Sequence, residues 1–140
     1  MNPTSVATSF AIFLLACACS VESKKFTRCG LVQELIFHQF TDLANWICLI
    51  EAGSDRNTGA IHNDGGKAKY GLFQIDTDWC SDKWYPAKKC FVKCQSLISD
   101  DISKSVDCAQ KMYTAGGFKM FQAWRDNCEG KPLPDLSPCF

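Results

Sequence analysis

The sequence predicts an α+β domain whose order is helices, a small antiparallel sheet, then helices, held by four disulfides. Three observations carry this. Apolar residues recur at helical spacing on both sides of the middle of the chain. Residues 57–76 instead break into short runs punctuated by Gly, Asn and Asp, as hairpins do. Eight cysteines follow an apolar leader, an even count that suits an exported, disulfide-stapled domain.

The leader is residues 1–23. The run Phe10-Ala11-Ile12-Phe13-Leu14-Leu15-Ala16 passes into small residues as far as Ser23, the pattern of a secretory signal peptide, although no Lys or Arg precedes it. The run is too short to span a bilayer, so a chain cleaved there keeps no membrane span. Residues 24–140 then form a single domain, secreted to the extracellular space. With 15 Lys and Arg against 15 Asp and Glu the whole chain is formally neutral, and the leader removes only Glu22 from that balance. Near-neutrality argues against nucleic acid as a partner, because phosphate contacts need excess positive charge. Hydrophobic residues at 46% and charged residues at 21% mark a globular chain, which is expected to be a monomer, and no repeat or linker suggests a second domain.

Cys17 and Cys19 leave with the leader, so the remaining cysteines are Cys29, Cys48, Cys80, Cys90, Cys94, Cys108, Cys128 and Cys139. Spacing alone leaves their pairing open. Cys90 and Cys94 also read as half a zinc site, but the oxidising compartment and the lack of a nearby His favour disulfides. No metal and no cofactor are expected.

Taken in order, Thr27 is suited to cap a first helix with Leu31, Leu35 and Ile36 inward, broken at Gln39 to Thr41; His38 near its end reads as a solvated residue. Thr41 is the expected cap of a second helix from Asp42 to about Ala52, with Leu43, Trp46, Ile47 and Ile50 as its stripe and Gly53, at positive φ, as its stop. The turn Asn63-Asp64-Gly65-Gly66 then joins Ala60-Ile61 to the run Tyr70 to Ile75, as a hairpin or three strands. Residues 77–96 are expected to be irregular. Ser99-Asp100-Asp101 marks a helix start, followed by Ile102, Val106, Ala109 and Met112 or Tyr113 inward and an end before Gly116-Gly117. A short helix over Phe118 to Cys128 follows, and a proline-rich tail is tied down by Cys139.

Together these pieces resemble the C-type lysozyme and alpha-lactalbumin family (glycoside hydrolase family 22), most closely its insect branch. The marks are Lys25-Phe26-Thr27-Arg28-Cys29, Trp46-Ile47-Cys48, Arg56-Asn57-Thr58-Gly59, Tyr70-Gly71-Leu72-Phe73-Gln74-Ile75, Asp100-Asp101-Ile102, Cys108-Ala109-Gln110-Lys111 and Ala123-Trp124-Arg125, in order along the chain. The resemblance implies a lysozyme-like fold, a helical lobe and a small β lobe with a sugar-binding cleft between them. It also implies the bridges Cys29-Cys139, Cys48-Cys128, Cys80-Cys94 and Cys90-Cys108.

The resemblance also sets an expectation for chemistry. Family members that cleave peptidoglycan use one protonated carboxyl on the leaving oxygen and one ionised carboxylate facing the developing oxocarbenium. The first position, five residues after Cys48, holds Gly53 here, and the second, just before Tyr70, holds Lys69. Glycine has no proton to give, and an ammonium opposes positive charge. Glu51 stands about 200° around the helix from Gly53 and should face away, while Asp55 and Asp64 lie in loops. Gln74, Asp76 and Trp79 match cleft positions that contact sugar in relatives, Asp76 in place of an asparagine. Phe121 replaces a tryptophan and keeps a ring without an indole donor, whereas Trp124 reads as core. In the loop where one branch holds calcium, Ser99, Lys104 and Ser105 stand at the carboxylate positions, so no tight calcium is expected. The expected function is thus a secreted protein without muramidase activity whose cleft holds an N-acetylglucosamine-type glycan or a protein at a cell surface. The alternative is an active lysozyme that hydrolyses peptidoglycan β-1,4 bonds with a non-standard acid such as Glu51 or Asp55; a third is an interaction protein with a disused cleft.

Overall fold

The structure is a computed structural model, and it describes residues 3–4, 11–12, 23–63, 65–83 and 88–140. Nearly all of the expected leader, Asp64 and residues 84–87 lie outside the described residues. The fold is of the expected α+β class, with helices packed beside a small antiparallel sheet.

Helix α1 spans Arg28–Phe37, and Thr27 caps it by accepting a hydrogen bond from the Gly30 amide at 3.0 Å. Its inward residues are Leu31, Val32 and Leu35. Ile36, expected inward, is 42% exposed because one residue beyond Leu35 turns the side chain about 100° off the buried stripe. His38 closes the helix, and its Nε2 lies 3.5 Å from Glu34.

Helix α2, Leu43–Ser54, departs from expectation at both ends. Asp42, not Thr41, stands at its start, in the left-handed region at φ 59° and without a side-chain bond to the helix backbone. At the other end the helix runs through Gly53 to Ser54, and the positive φ values fall on Asp55 (51°) and Arg56 (63°). The extra turn is held by Ser54, whose buried Oγ lies 2.7 Å from the Leu72 carbonyl and 3.0 Å from that of Ile50. Aspartate tolerates the left-handed region better than most residues, so the reversal does not need the glycine.

The sheet is three-stranded, in the order β1 (Ile61–His62), β2 (Lys69–Tyr70), β3 (Ile75–Asp76), all antiparallel. Its register sets His62 opposite Lys69, and Lys69 opposite Asp76. The run from Tyr70 to Ile75 is therefore two strand ends around a turn. Gly71, at φ 74°, makes that turn against the backbone of Leu97, where a Cβ would sit 1.9 Å from the Leu97 carbonyl oxygen. No side chain fits there.

Helix α3, Ser103–Gly116, begins later than Ser99-Asp100-Asp101 suggests. Asp101 serves its start, accepting from the Ser103 amide and hydroxyl. Asp100 instead reaches back across the domain, accepting from the Lys24 amide at 2.8 Å and the Thr58 hydroxyl at 3.0 Å. Ile102, Val106, Ala109 and Met112 are buried, and Tyr113 is exposed. The helix expected over Phe118 to Cys128 is two pieces, a 3-10 turn at Gly117–Met120 and helix α4 at Gln122–Asn127, parted at Phe121 by an extended backbone.

Four disulfides join Cys29 to Cys139, Cys48 to Cys128, Cys80 to Cys94 and Cys90 to Cys108. The core centres on Trp46, whose ring meets Phe40, Phe73, Phe118 and Phe121 edge-on at 4.7 to 5.9 Å. Helix α4 lies against α2, and Trp124 donates its indole N–H to Asn45 at 2.8 Å. Among the described residues no helix is long and apolar enough to cross a membrane.

Candidate functional site

Between the end of α2, the sheet and α4 lies an open cavity of about 280 Å3. Its described lining brings Gly53, Lys69, Gln74 and Phe121 together, four positions the sequence singles out. It adds His62, Gln122, Asp126 and Asn127.

Gly53 forms one wall because α2 continues past it. A Cβ at that position would meet Gln74 Cγ at 3.0 Å and Ala123 Cβ at 3.3 Å, so neighbouring side chains have closed over the glycine. Gln74, at φ 52°, is fixed by donating its amide N–H groups to the carbonyls of Ala60 (3.2 Å) and Gly71 (3.0 Å). Those bonds orient its oxygen toward His62, whose Nδ1 is 2.7 Å away. With Gln74 Oε1 as acceptor, Nδ1 carries the proton, and a neutral His62 ring presents Nε2 as an acceptor.

Lys69 is on the same face of the sheet as His62, its cross-strand neighbour. Its ammonium donates to Gln122 Oε1 at 2.6 Å, linking the β lobe to α4 across the cavity mouth. Phe121 lines the cavity but is 3% exposed, with its ring 5.4 Å from Trp46 at 77°, so most of its surface belongs to the core.

Asp76 and Trp79 are not among the described lining residues. Asp76 accepts from the Asp78 amide at 2.8 Å, bracing the turn after β3. Trp79 is buried, with the Lys89 ammonium 4.7 Å from its ring centre. Trp124 stacks on Phe118.

The other carboxylates considered as acids are engaged elsewhere. Glu51 takes a two-pronged contact from Arg28, at 2.6 and 2.8 Å, which raises the Arg28 pKa. Asp55 accepts from the Lys25 ammonium at 2.6 Å, and that bond holds its carboxyl below the usual range. Neither lines the cavity. Among the described lining residues the one carboxylate is Asp126.

The loop before α3 does not fit a hard cation. Lys104 puts an ammonium beside Ser96, Ser99 and Asp101, and the buried Ser105 hydroxyl donates to the Leu97 carbonyl. Among the described residues no three or more His, Cys, Asp or Glu are grouped to hold a metal.

Reasoning from sequence missed His62, Gln122, Asp126 and Asn127. The hairpin register carries the signal for His62, since it stands opposite Lys69. For Gln122 and Asp126 the signal is their spacing of four on a helix beside Phe121.

The description "C-type lysozyme/alpha-lactalbumin family" matches residues 24–139. A protein named lysozyme from Bombyx mori is 46% identical over 133 residues, covering 91% of this chain and 96% of that protein. A lysozyme from Hyalophora cecropia is 44% identical over 139 residues, covering 94% and 99%. Among solved structures, canine milk lysozyme superposes with a TM-score of 0.73 at 30% identity, over 84% of this chain and 99% of its own.

Proposed function

The chain belongs to the C-type lysozyme/alpha-lactalbumin family, and from that premise we propose that it is a secreted binding protein whose cleft holds an N-acetylglucosamine-type glycan without hydrolysing it. One observation carries this reading: Gly53 and Lys69 both line the cleft, where hydrolysis of a glycosidic bond needs two carboxyl groups. Glu51 and Asp55 are turned to Arg28 and Lys25 and do not substitute. What remains suits binding, with the amides of Gln122 and Asn127 for hydroxyl and acetamido groups and an edge of Phe121 for a ring face. A protein partner at the same cleft is the variant of this reading in which the glycan is dispensable.

The same proposal takes residues 1–23 as a secretory leader and residues 24–140 as one monomeric extracellular domain. Its support is the family match from residue 24 and the pairing of all eight cysteines beyond that point.

A second reading is favoured by the relatives named lysozyme at 44% and 46% identity: hydrolysis of peptidoglycan β-1,4 bonds with a non-standard acid. Asp126 is the described cleft carboxylate available to it. The two readings separate in one experiment on the oxidised protein, in which clearing of bacterial cell walls is assayed beside binding of N-acetylglucosamine oligomers by tryptophan fluorescence. Binding without clearing is expected. Clearing that Asp126→Asn or Glu51→Gln abolishes would establish the second reading, and no binding at millimolar oligomer would leave the protein partner.

A further inference from the structure

Away from the cleft, an aromatic ring is held in water among lysines. Residues 83–93 hold four lysines and no Asp or Glu, in a chain whose 15 basic and 15 acidic residues cancel. All four are exposed. Lys83 and Lys88 line one open cavity with Ser81 and Asp82. Lys67, which bonds Asp78 directly, and then Lys88 and Lys89 hold the Asp78 carboxyl below its ordinary value. Asp82 accepts from the Gln95 amide at 2.9 Å. Between Lys89 and Lys93 stands Phe91, 71% exposed. Its φ is 51°, in the left-handed region, where a bulky side chain is an outlier. One residue thus bears two costs, a strained backbone and an apolar ring in water, and the ring is too exposed for packing to offset either. The segment is nonetheless fastened. The Cys90 amide donates to the Trp79 carbonyl at 3.0 Å and the Ser81 amide to the Val92 carbonyl at 3.1 Å, while disulfides leave from Cys90 and Cys94 on either side of Phe91. None of Lys83, Lys88, Lys89, Phe91 and Lys93 is among the described lining of the cleft.

We propose that residues 88–93, with Lys83, form a docking surface for an anionic lipid bilayer, in which Phe91 enters the headgroup boundary and Lys83, Lys88, Lys89 and Lys93 meet the lipid phosphates. Charge complementarity alone would suit any polyanion. The ring decides for lipid, since an exposed aromatic side chain gains by leaving water only where an apolar phase lies behind the charge. Lysine suits the same boundary, because its stem lies along apolar surface while its ammonium stays with the phosphates. A ring already held outward by the bonds to Trp79 and Ser81 has little ordering entropy left to lose on insertion. Each lysine near an anionic surface strengthens binding about fivefold, so four of them with one ring make a reversible contact.

The test is titration calorimetry on the oxidised protein with three probes: vesicles of equal parts phosphatidylglycerol and phosphatidylcholine, vesicles of phosphatidylcholine alone, and polyphosphate. The anionic vesicles are expected to bind more than about tenfold tighter than the neutral ones at low salt, with the gap narrowing as salt rises. Lys88→Gln with Lys93→Gln should weaken that binding about 25-fold and make it less sensitive to salt. Phe91→Asn should weaken it roughly tenfold with the salt dependence kept, and should hold or raise the urea midpoint, because asparagine takes the left-handed region readily. That last pair of results separates a docking residue from a packing one. Near-UV circular dichroism checks that the lysine variant keeps the fold. Equal binding to the two kinds of vesicle, binding to neither, or a Phe91→Asn protein that loses stability or binds anionic vesicles as the wild type does would each overturn the proposal. Polyphosphate bound as tightly as the anionic vesicles would overturn it in favour of a soluble polyanion.

Discussion

Lys69 Nζ stands 2.6 Å from Gln122 Oε1, so a residue of the sheet and a residue of α4, 53 positions apart in the chain, meet across the mouth of the cleft. The contact is exposed and joins a charge to a neutral amide. Gln122→Ala should therefore lower stability in urea by less than about 1 kcal/mol. A larger loss would mean that the link holds the lobes together and does not merely span them.

Placing carboxylates at positions 53 and 69 tests whether the cleft can support hydrolysis. Gly53→Glu with Lys69→Asp is expected to clear cell walls faster than the unsubstituted protein. The new Cβ enters a space where Gln74 Cγ is 3.0 Å away, so the variant should also lose about 1 to 3 kcal/mol to crowding. A pair that folds and binds N-acetylglucosamine oligomers but clears nothing would place the defect beyond these two positions.

Acid stability follows from the surface carboxylates. Asp55, Asp78, Asp101 and Asp135 all have folded pKa values below the ordinary one, through hydrogen bonds from Lys25, Lys67, Ser103 and Ser137 respectively. A group depressed in the folded state contributes stability above its unfolded pKa, about 4 for aspartate, and loses it as pH falls through the folded value. The urea midpoint should therefore hold steady from pH 7 to about 5 and drop below about 4. Substituting all four by Asn should flatten the part of that drop they cause.

Asp100 fastens the start of the domain. It accepts from the Lys24 amide and from the hydroxyl of Thr58, which is fully buried. Asp100→Ala takes the acceptor from the buried Thr58 hydroxyl, while the Lys24 amide keeps Thr58 Oγ1 at 2.9 Å, and should cost about 1 to 3 kcal/mol. Amide exchange should quicken first at Phe26 and Thr58, whose N–H groups bond to Arg56 and Lys24 in the same region.

Much of this was legible in the sequence. The stripes of α2 and α3 are regular enough to name Trp46, Ile47, Ile50, Val106, Ala109 and Met112 as buried, and they are. The Thr27 cap was visible because a hydroxyl just ahead of an apolar stripe has one obvious role. The end of α2 was not, since a glycine there reads as a stop, and the bond from Ser54 to a carbonyl of a later turn has no local signature. The split of the Tyr70 to Ile75 run depends on Leu97 lying against Gly71, a contact between segments 26 residues apart. In the cleft, Gly53 and Lys69 stood out by their positions after Cys48 and before Tyr70. His62 and Gln122 needed the register of the sheet and the placing of α4, which only the folded chain supplies.

The bond from the Ser54 hydroxyl to Leu72 has a consequence for ligand affinity. It joins the last turn of the helix that carries Gly53 to the turn between the strands that carry Lys69 and Ile75. Two walls of the cleft are thus fastened to each other. Their separation is set when the chain folds, so the glycan of the proposed function would meet a slot of fixed width and lose little binding energy to ordering it. A Ser54→Ala protein would show this as a weaker affinity arising from a more unfavourable binding entropy, with every residue that touches the ligand unchanged.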